Sequence, residues 1–588
     1  MLDSLLGYSF TIAITIALVT LIAAIVCGRK ELIKELKGIN RYSIAAIIGI
    51  VAVFLAIAIF YTTAFEELYF DENIYQGIAI NILKHGQMLW CTFGTGYLNN
   101  CYITALYHDP AGWSYFLAIA FAIFGIGTST SYDAQLFIGA LSLPLLFLFA
   151  YVLTKKNSIA VVSAYVLALM PELYIWSRTQ ADPDLPFMTF SILSFFFFFV
   201  FLNIKSRTSL LMFVSSLVIV LYMRTEAILL VGVFFLIYLL YNFTGLNSIK
   251  RNIAKLFHII NTDYKVTIIV LFFILLTIPQ IIYIAIQASN PQYGQQSNQS
   301  VISLANFKHN LGGNLKFLFG SYNYSAYFPA VSTISLLIFS LIGIVLLAFE
   351  KSSKAKVLSA SLLWFLTYFL FYTSFYAGSA TFGVDVRFML QILPPLSLLS
   401  GIGIVLAAKY ISELPYLRFH KRARHEKHFP PSRKTRRKEI FQISVAALIL
   451  LLGVAYPFYA VSNLINLKVS QMPQQSVIAP TIRFFYSNYS KVPSNCLVFS
   501  FTPDIWYEVG RASAQIGYLG LANSTIVNLE KNFSCFVLDY GYWCMVPPFD
   551  SMQCPYDKNA YKTIVLSEGS IPYTDEHPAF YLLKNYTP

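Results

Sequence analysis

Long stretches of this chain carry no charge, and they recur at a length that matches a bilayer rather than a globular core. A membrane-crossing helix needs about 17 to 25 mostly apolar residues. Such runs lie near 8–27, 42–62, 132–154, 157–176, 185–203, 208–223, 226–242, 266–287, 328–349, 357–376, 389–409 and 441–460. The pattern predicts a polytopic α-helical membrane protein of about 12 spans. One more apolar segment, Trp113 to Gly127, is short and holds Gly125 and Gly127. It reads as a re-entrant or interfacial helix, because counting it as a span would scatter the basic loops over both faces.

With twelve spans the basic residues sort to one side. Arg29, Lys30, Lys34, Lys37 and Arg41 fall there, as do Lys155 and Lys156, Lys205 and Arg207, and Lys250, Arg251, Lys255 and Lys265. Lys351, Lys354, Lys356, Lys409 and the run from Arg418 to Lys438 follow. The positive-inside rule makes that side cytoplasmic and puts both chain ends outside. The first run reads as a retained span and not a cleaved signal peptide, since Asp3 stands where a basic flank belongs.

Composition sharpens this reading. The chain is 57% hydrophobic and 12% charged, against roughly 25% charged for a soluble domain, which excludes an ordinary soluble protein. The net charge of +13 raises the question of nucleic acid. Its densest stretch, however, lies between two spans, where a polybasic segment orients the chain or touches anionic lipid. No nucleic-acid partner is expected. Cys91, Cys101, Cys496, Cys535, Cys544 and Cys554 fall outside, where disulfides persist. Cys91 with Cys101 closes a short loop, and the other four allow three connectivities. The Asn-x-Ser/Thr acceptors at Asn298, Asn323, Asn488, Asn523, Asn532 and Asn585 are also outside.

Three parts follow: an extra N-terminal span with its basic inner loop (1–41), a transmembrane module (42–460, first outer loop 63–131), and an extracytoplasmic C-terminal domain (461–588). The last mixes short alternating stretches such as Cys496 to Phe501 with turn residues, which predicts a small disulfide-bonded α/β domain. There is no internal repeat of the kind that marks inverted-repeat transporters.

Polar groups at the outer ends of the spans are the candidate chemistry. In residues 70–86, FDENIYQGIAINILKHG, Ile74, Ile78 and Ile82 give one apolar helical face and Gly86 a C-cap. This predicts an amphipathic helix lying on the membrane with Asp71 and Glu72 at its start; the plain alternative is capping and dipole complementation. In SRTQADPDLPF, residues 177–187, Asp182 and Asp184 flank Pro183 where apolar helices meet water, a costly place for carboxylates that only form a turn. In LYMRTEAILL, residues 221–230, Arg224 and Glu226 interrupt an apolar run, two apart and so not facing each other on an unbroken helix. A guanidinium there suits a phosphate at the bilayer surface, and snorkelling is the alternative. Arg387 opens a later span, with Asp385 as its simplest partner, and His108 and Asp109 precede the re-entrant segment. No metal-ligand spacing is present.

In that order and sidedness, these residues resemble the GT-C glycosyltransferases, in particular the protein O-mannosyltransferase and aminoarabinose-transferase branch. The likeness runs over about residues 42–410. It rests on the acidic pair opening the first-loop helix, the re-entrant helix ending in Phe124-Gly125, the acid of the second outer loop, the basic residue after a short span, and the RFMLQILPPL stretch from Arg387. Two departures stand out. His108-Asp109-Pro110 replaces the family's basic residue before two prolines, and two acids, Asp182 and Asp184, stand where one is expected, with Asp184 favoured. The resemblance implies a polyprenyl- or dolichyl-phosphate sugar donor, an acceptor hydroxyl on a protein, glycan or lipid, no required cofactor, and inverting transfer on the extracytoplasmic face of the plasma membrane (or the endoplasmic reticulum in a eukaryote). Asp71 is then the general base, Glu72, Asp184 and Asp182 orient the acceptor or the base, and Arg224, Arg387 and His108 hold the donor phosphate. An oligosaccharyltransferase, which carries a DYG motif like Asp539 to Gly541 and uses a divalent metal, is one alternative. A membrane transporter is the other, though the ionisable groups here gather at span ends rather than mid-bilayer.

Overall fold

The computed structural model describes residues 2–61, 70–95, 100–107, 110, 112–178, 181–240, 250–254, 258, 262–289, 302–318, 323–324, 328–329, 331–349, 354–375, 387–422, 473–541, 544, 561–570 and 577–586. Among these, seven helices are long and apolar enough to cross a membrane: Asp3–Cys27, Arg41–Phe60, Thr128–Thr154, Asp184–Ile204, Tyr264–Gln287, Lys356–Ser374 and Arg387–Ile411. They coincide with seven of the expected runs. The run 157–176 is instead bent by 69° between Asn157–Ala168 and Glu172–Arg178, at Pro171, where a proline removes a helix hydrogen bond. The runs 208–223 and 226–242 are the shorter helices Arg207–Leu221 and Thr225–Leu240, and 328–349 gives Val331–Phe349. The run 441–460 lies outside the described residues.

The first four helices are α1 (Leu2–Cys27), α2 (Arg29–Leu36), α3 (Arg41–Tyr61) and α4 (Phe70–His85). The hairpin β1 (Trp90–Thr95) and β2 (Asn100–Ala105) follows, then α5 (Gly112–Phe124) and α6 (Thr128–Thr154). At 13 residues α5 is about 20 Å long, short of a hydrocarbon core of about 30 Å. Next come α7 (Asn157–Ala168), α8 (Pro171–Arg178), α9 (Asp184–Ile204), α10 (Arg207–Leu221) and α11 (Leu229–Leu240). A helix apolar on every side belongs inside a protein, and α9 is buried along nearly its whole length, including Phe195 to Phe199. There Phe195 stacks on Trp364 with ring centroids 4.0 Å apart. By contrast α1 leaves Ile12, Val19 and Ile22 exposed and α3 leaves Ile48, Val53 and Ile59 exposed, as lipid-facing sides require.

The C-terminal domain begins with α12 (Pro473–Asn488) and continues as β3 (Cys496–Ser500), α13 (Pro503–Glu508), β4 (Ala512–Gln515), α14 (Ser524–Glu530), β5 (Cys535–Tyr540), β6 (Thr563–Glu568) and β7 (Ala579–Leu583). β3 runs parallel to β4 and β5, pairing Leu497 with Ala512 and Cys496 with Cys535. Alternate residues serve opposite faces, as strand pleating dictates: Leu497, Phe499, Phe536 and Leu538 pack on one side, Val498 and Val537 on the other with Trp506 and Phe580. The α/β character is as the alternation predicts. The sheet, however, is larger than the C-terminal segment. Its seven strands run β2-β1-β4-β3-β5-β7-β6, so the first-loop hairpin supplies two of them, with Phe93 opposite Ala514. Cys91 pairs with Cys101 as expected. Cys496 pairs with Cys535 across the parallel strands, Cys544 is disulfide-bonded as well, and among the described residues Cys27 is free.

Candidate active site

Helix α4 departs from a helix resting on a membrane with a wet polar face. Residues Glu72 through Ile82 are all buried, the polar Glu72, Asn73, Gln76 and Asn81 along with the apolar Ile74, Ile78 and Ile82. Its apolar stripe joins the main core, while β1 and α13 cover it from the sheet side. Glu72 accepts a hydrogen bond from the Tyr132 hydroxyl of α6 at 2.7 Å. Asp71 occupies the first turn of α4; its side chain, like all of His108 and Asp109, lies outside the described residues.

The N-terminus of α5 ties three segments together. Ser114 Oγ donates to the Tyr75 carbonyl of α4 at 2.8 Å, Trp113 Nε1 to the Ala181 carbonyl at 2.9 Å, and Gly112 N–H to the Tyr222 carbonyl at 3.0 Å. That last approach needs glycine: a Cβ on residue 112 would stand 2.2 Å from the Tyr222 oxygen. Helix α5 therefore fixes the acidic helix, the aspartate loop and the arginine segment relative to one another.

In the aspartate loop the turn reading holds, and the two acids also lie beside arginines. Asp182 Oδ1 accepts the Asp184 N–H at 3.2 Å, an Asx-type local bond, while Gln135 of α6 donates to the Asp182 carbonyl at 3.1 Å. Both carboxyls are buried and each meets an arginine: Asp182 Oδ2 lies 3.9 Å from Arg387 Nη1 and Asp184 Oδ2 lies 3.6 Å from Arg224 Nη1. Arg387 thus faces Asp182, whereas the simpler partner, Asp385, lies outside the described residues. Burial, then the neighbouring Asp184, pushes the Asp182 carboxyl well above the usual carboxylate range, opposed by Arg387.

Arg224 and Glu226 do face each other, contrary to the unbroken-helix expectation. The helix stops at Leu221, Arg224 is extended (φ −147°, ψ 151°), and a 3₁₀ turn restarts at Thr225. Arg224 Nε then donates to Glu226 Oε1 at 3.0 Å, and the Tyr372 hydroxyl donates to the same oxygen at 2.8 Å. Phe388 lies beneath both guanidinium groups, 5.7 Å from that of Arg224 and 5.2 Å from that of Arg387. Of the described residues, Asp182, Asp184, Arg224, Arg387 and the neighbouring Glu226 form one largely buried charged layer, to which Glu72 is tied through Tyr132 and Gln135 of α6. Tyr132, Gln135, Tyr372 and Phe388 belong to it without having been singled out in the sequence; their only sequence signal is a polar or aromatic residue in the first or last turn of a span. Such a layer holds hydrogen-bond donors in a low-dielectric setting, an arrangement able to stabilise negative charge developing on a reacting phosphate.

Residues 108–283 match the family of dolichyl-phosphate-mannose-protein mannosyltransferases. The fold is similar to that of ArnT from Cupriavidus metallidurans. The apo structure has a TM-score of 0.54 at 11% identity, with 92% of this chain and 97% of that chain covered. The structure bound to undecaprenyl phosphate has a TM-score of 0.56 at the same identity and coverage. A looser likeness links it to the archaeal oligosaccharyltransferase AglB from Archaeoglobus fulgidus, with a TM-score of 0.48, 12% identity, and 93% of this chain and 75% of that chain covered. No curated protein sequence matches the chain.

Proposed function

We propose that this chain, a membrane glycosyltransferase of the GT-C superfamily by its family match and fold, moves one sugar from a polyprenyl- or dolichyl-phosphate donor to an acceptor hydroxyl on the extracytoplasmic side of its membrane. The observation that carries this reading is the pair of arginines, Arg224 buried and Arg387 partly so, each beside a buried aspartate and joined through α6 to the acidic start of α4. Arg224 and Arg387 bind the donor phosphate and take up its charge as the sugar leaves. Asp71 removes the proton from the acceptor hydroxyl as the oxygen attacks the anomeric carbon, with inversion there. Glu72 and the two aspartates orient the attacking group. His108 adds a donor contact. The ArnT structure with undecaprenyl phosphate supports a lipid-phosphate donor.

We further propose that transfer needs no added divalent metal, the two guanidinium groups supplying the positive charge. The test is transfer in vitro from synthetic polyprenyl-phosphate sugars by wild type and Asp71→Asn, each with and without chelator. Loss of transfer in the variant alone supports the reading. Full activity of Asp71→Asn removes the base, and activity that needs a divalent ion returns the oligosaccharyltransferase alternative.

A further inference from the structure

We propose that Asp504 and Glu508, two carboxylates on one short helix of the C-terminal domain, are positioning residues for the transfer site: they clamp the two membrane-module helices that hold Glu72. Four residues apart, they project from the same side of α13. Asp504 grips α4 and β1. Its Oδ2 accepts the Trp90 indole N–H at 3.0 Å, and its Oδ1 sits in the space left by Gly77 of α4, where a Cβ would stand 1.7 Å from that oxygen. Among the described residues that buried Oδ1 has no hydrogen-bond partner. Burial pushes the carboxyl well above the ordinary carboxylate range, tempered by the Trp90 N–H. An acid kept at such cost in an interface is placed by what it fits rather than by its solvation.

Glu508 grips α6. Its carboxylate accepts the Thr128 backbone N–H and the Thr128 hydroxyl, both at 3.2 Å, and so caps the first turn of α6 and complements its dipole. Thr128, Tyr132 and Gln135 follow at four and three residues and share one helix face. Glu508, Glu72 and Asp182 therefore all attach to the first two turns of one helix. Through α4 from one side and α6 from the other, α13 sets where Glu72 stands. Neither carboxylate lies among the residues assigned to chemistry or donor binding.

This rests on the proposed transfer reaction, so the test pairs activity with a measurement that does not need it. In the full chain, Asp504→Ala and Glu508→Ala are expected to lower kcat about tenfold with donor KM within about twofold, a misplacement signature. Asp504→Asn keeps an acceptor for Trp90 and is expected to recover most of that loss. In both alanine variants, amide hydrogen exchange should quicken in residues 72–82 and 128–135 while the strands of the C-terminal sheet stay protected. Gly77→Ala, whose Cβ crowds the Asp504 carboxylate, should also lower kcat, and the double variant should be no worse than the poorer single, because both changes act on one contact and Asp504→Ala makes room for the added methyl. Wild-type exchange in α4 and α6 overturns the proposal, as does additive loss in the double variant. Faster exchange in a wild-type-inactive background upholds the clamp and refutes the transfer reaction instead.

Discussion

Replacing Arg224 by lysine separates charge from geometry at the heart of the site. Arg224 Nε donates to Glu226 at 3.0 Å while Nη1 stands 3.6 Å from Asp184, so one planar group serves two carboxylates in different directions. A lysine keeps the charge but presents it as a single point on a flexible stem. At 3.6 Å and an effective dielectric of about 20, a charge pair is worth about 5 kcal/mol before desolvation, so a lysine retaining one pair keeps the layer largely assembled. What it loses, in the proposed reaction, is the rigid donor aimed at the phosphate. Removing one donor from such a preorganised site costs roughly 3 to 4 kcal/mol of transition-state stabilisation, or about 10²- to 10³-fold in kcat. The expected result is Arg224→Lys folding with a melting temperature close to wild type and turning over about a hundredfold more slowly at saturating donor. Arg224→Met removes the charge as well. It strands Asp184 and Glu226 in a buried setting, a penalty of about 3 to 5 kcal/mol, and should also lower the melting temperature of the detergent-solubilised protein. Arg224→Lys within about threefold of wild-type kcat would refute the argument, for Arg224 would then be only a counter-ion.

Other consequences follow from the same geometry. Gly112→Ala places a Cβ 2.2 Å from the Tyr222 carbonyl oxygen, a backbone atom that has no rotamer to escape into; a stability loss of about 1 to 3 kcal/mol and a larger loss of transfer are expected in denaturation and activity assays. Ionised Asp182 competes with the donor phosphate for Arg387, and since its pKa is raised by burial and by Asp184, the neutral form that frees Arg387 is favoured at lower pH. Donor KM should therefore rise with pH in wild type and flatten in Asp182→Asn. Asp539 is pushed by burial from 3.8 to about 6, against hydrogen bonds from Trp506 and Ser500. The folded state then holds the extra proton between those values, so stability falls as pH rises through that window by up to roughly 3 kcal/mol, and thermal melts of Asp539→Asn between pH 4 and pH 7 should show the fall removed.

The sequence carried the membrane character, the α/β character of the C-terminal domain and the charged residues of the layer, because each is a local signal: an uncharged run, an alternating strand, a charge at a span end. Partnership was not local. Arg224 and Glu226 look mutually averted until the helix breaks at Leu221, beside the Tyr222 carbonyl on which Gly112 docks from over a hundred residues away. Arg387 lies beside Asp182 across the fold, a contact that neither segment announces. Helix α4 shows a correct apolar stripe, yet its polar side is buried too, since α13 and a sheet completed by β1 and β2 lie over it. Strand pairing between residues 93 and 514 leaves no trace in either segment alone.

In the proposed reaction, the charge of the layer bears on how a donor would enter it. Two guanidiniums meet Asp182, Asp184 and Glu226, so the arginines do not wait as an uncompensated positive cavity; that would be costly so far from water. A phosphate must instead exchange for part of an existing pairing. Asp182 is the group able to yield, because its raised pKa lets it take up a proton and release Arg387, whereas Glu226 is fastened by Arg224 and Tyr372 together. Arg224 is in that sense the fixed donor and Arg387 the exchangeable one. Phe388 lies beneath both and would keep their planes in place through the exchange, so that in the proposed reaction little further reorganisation would be needed at the moment the sugar is transferred.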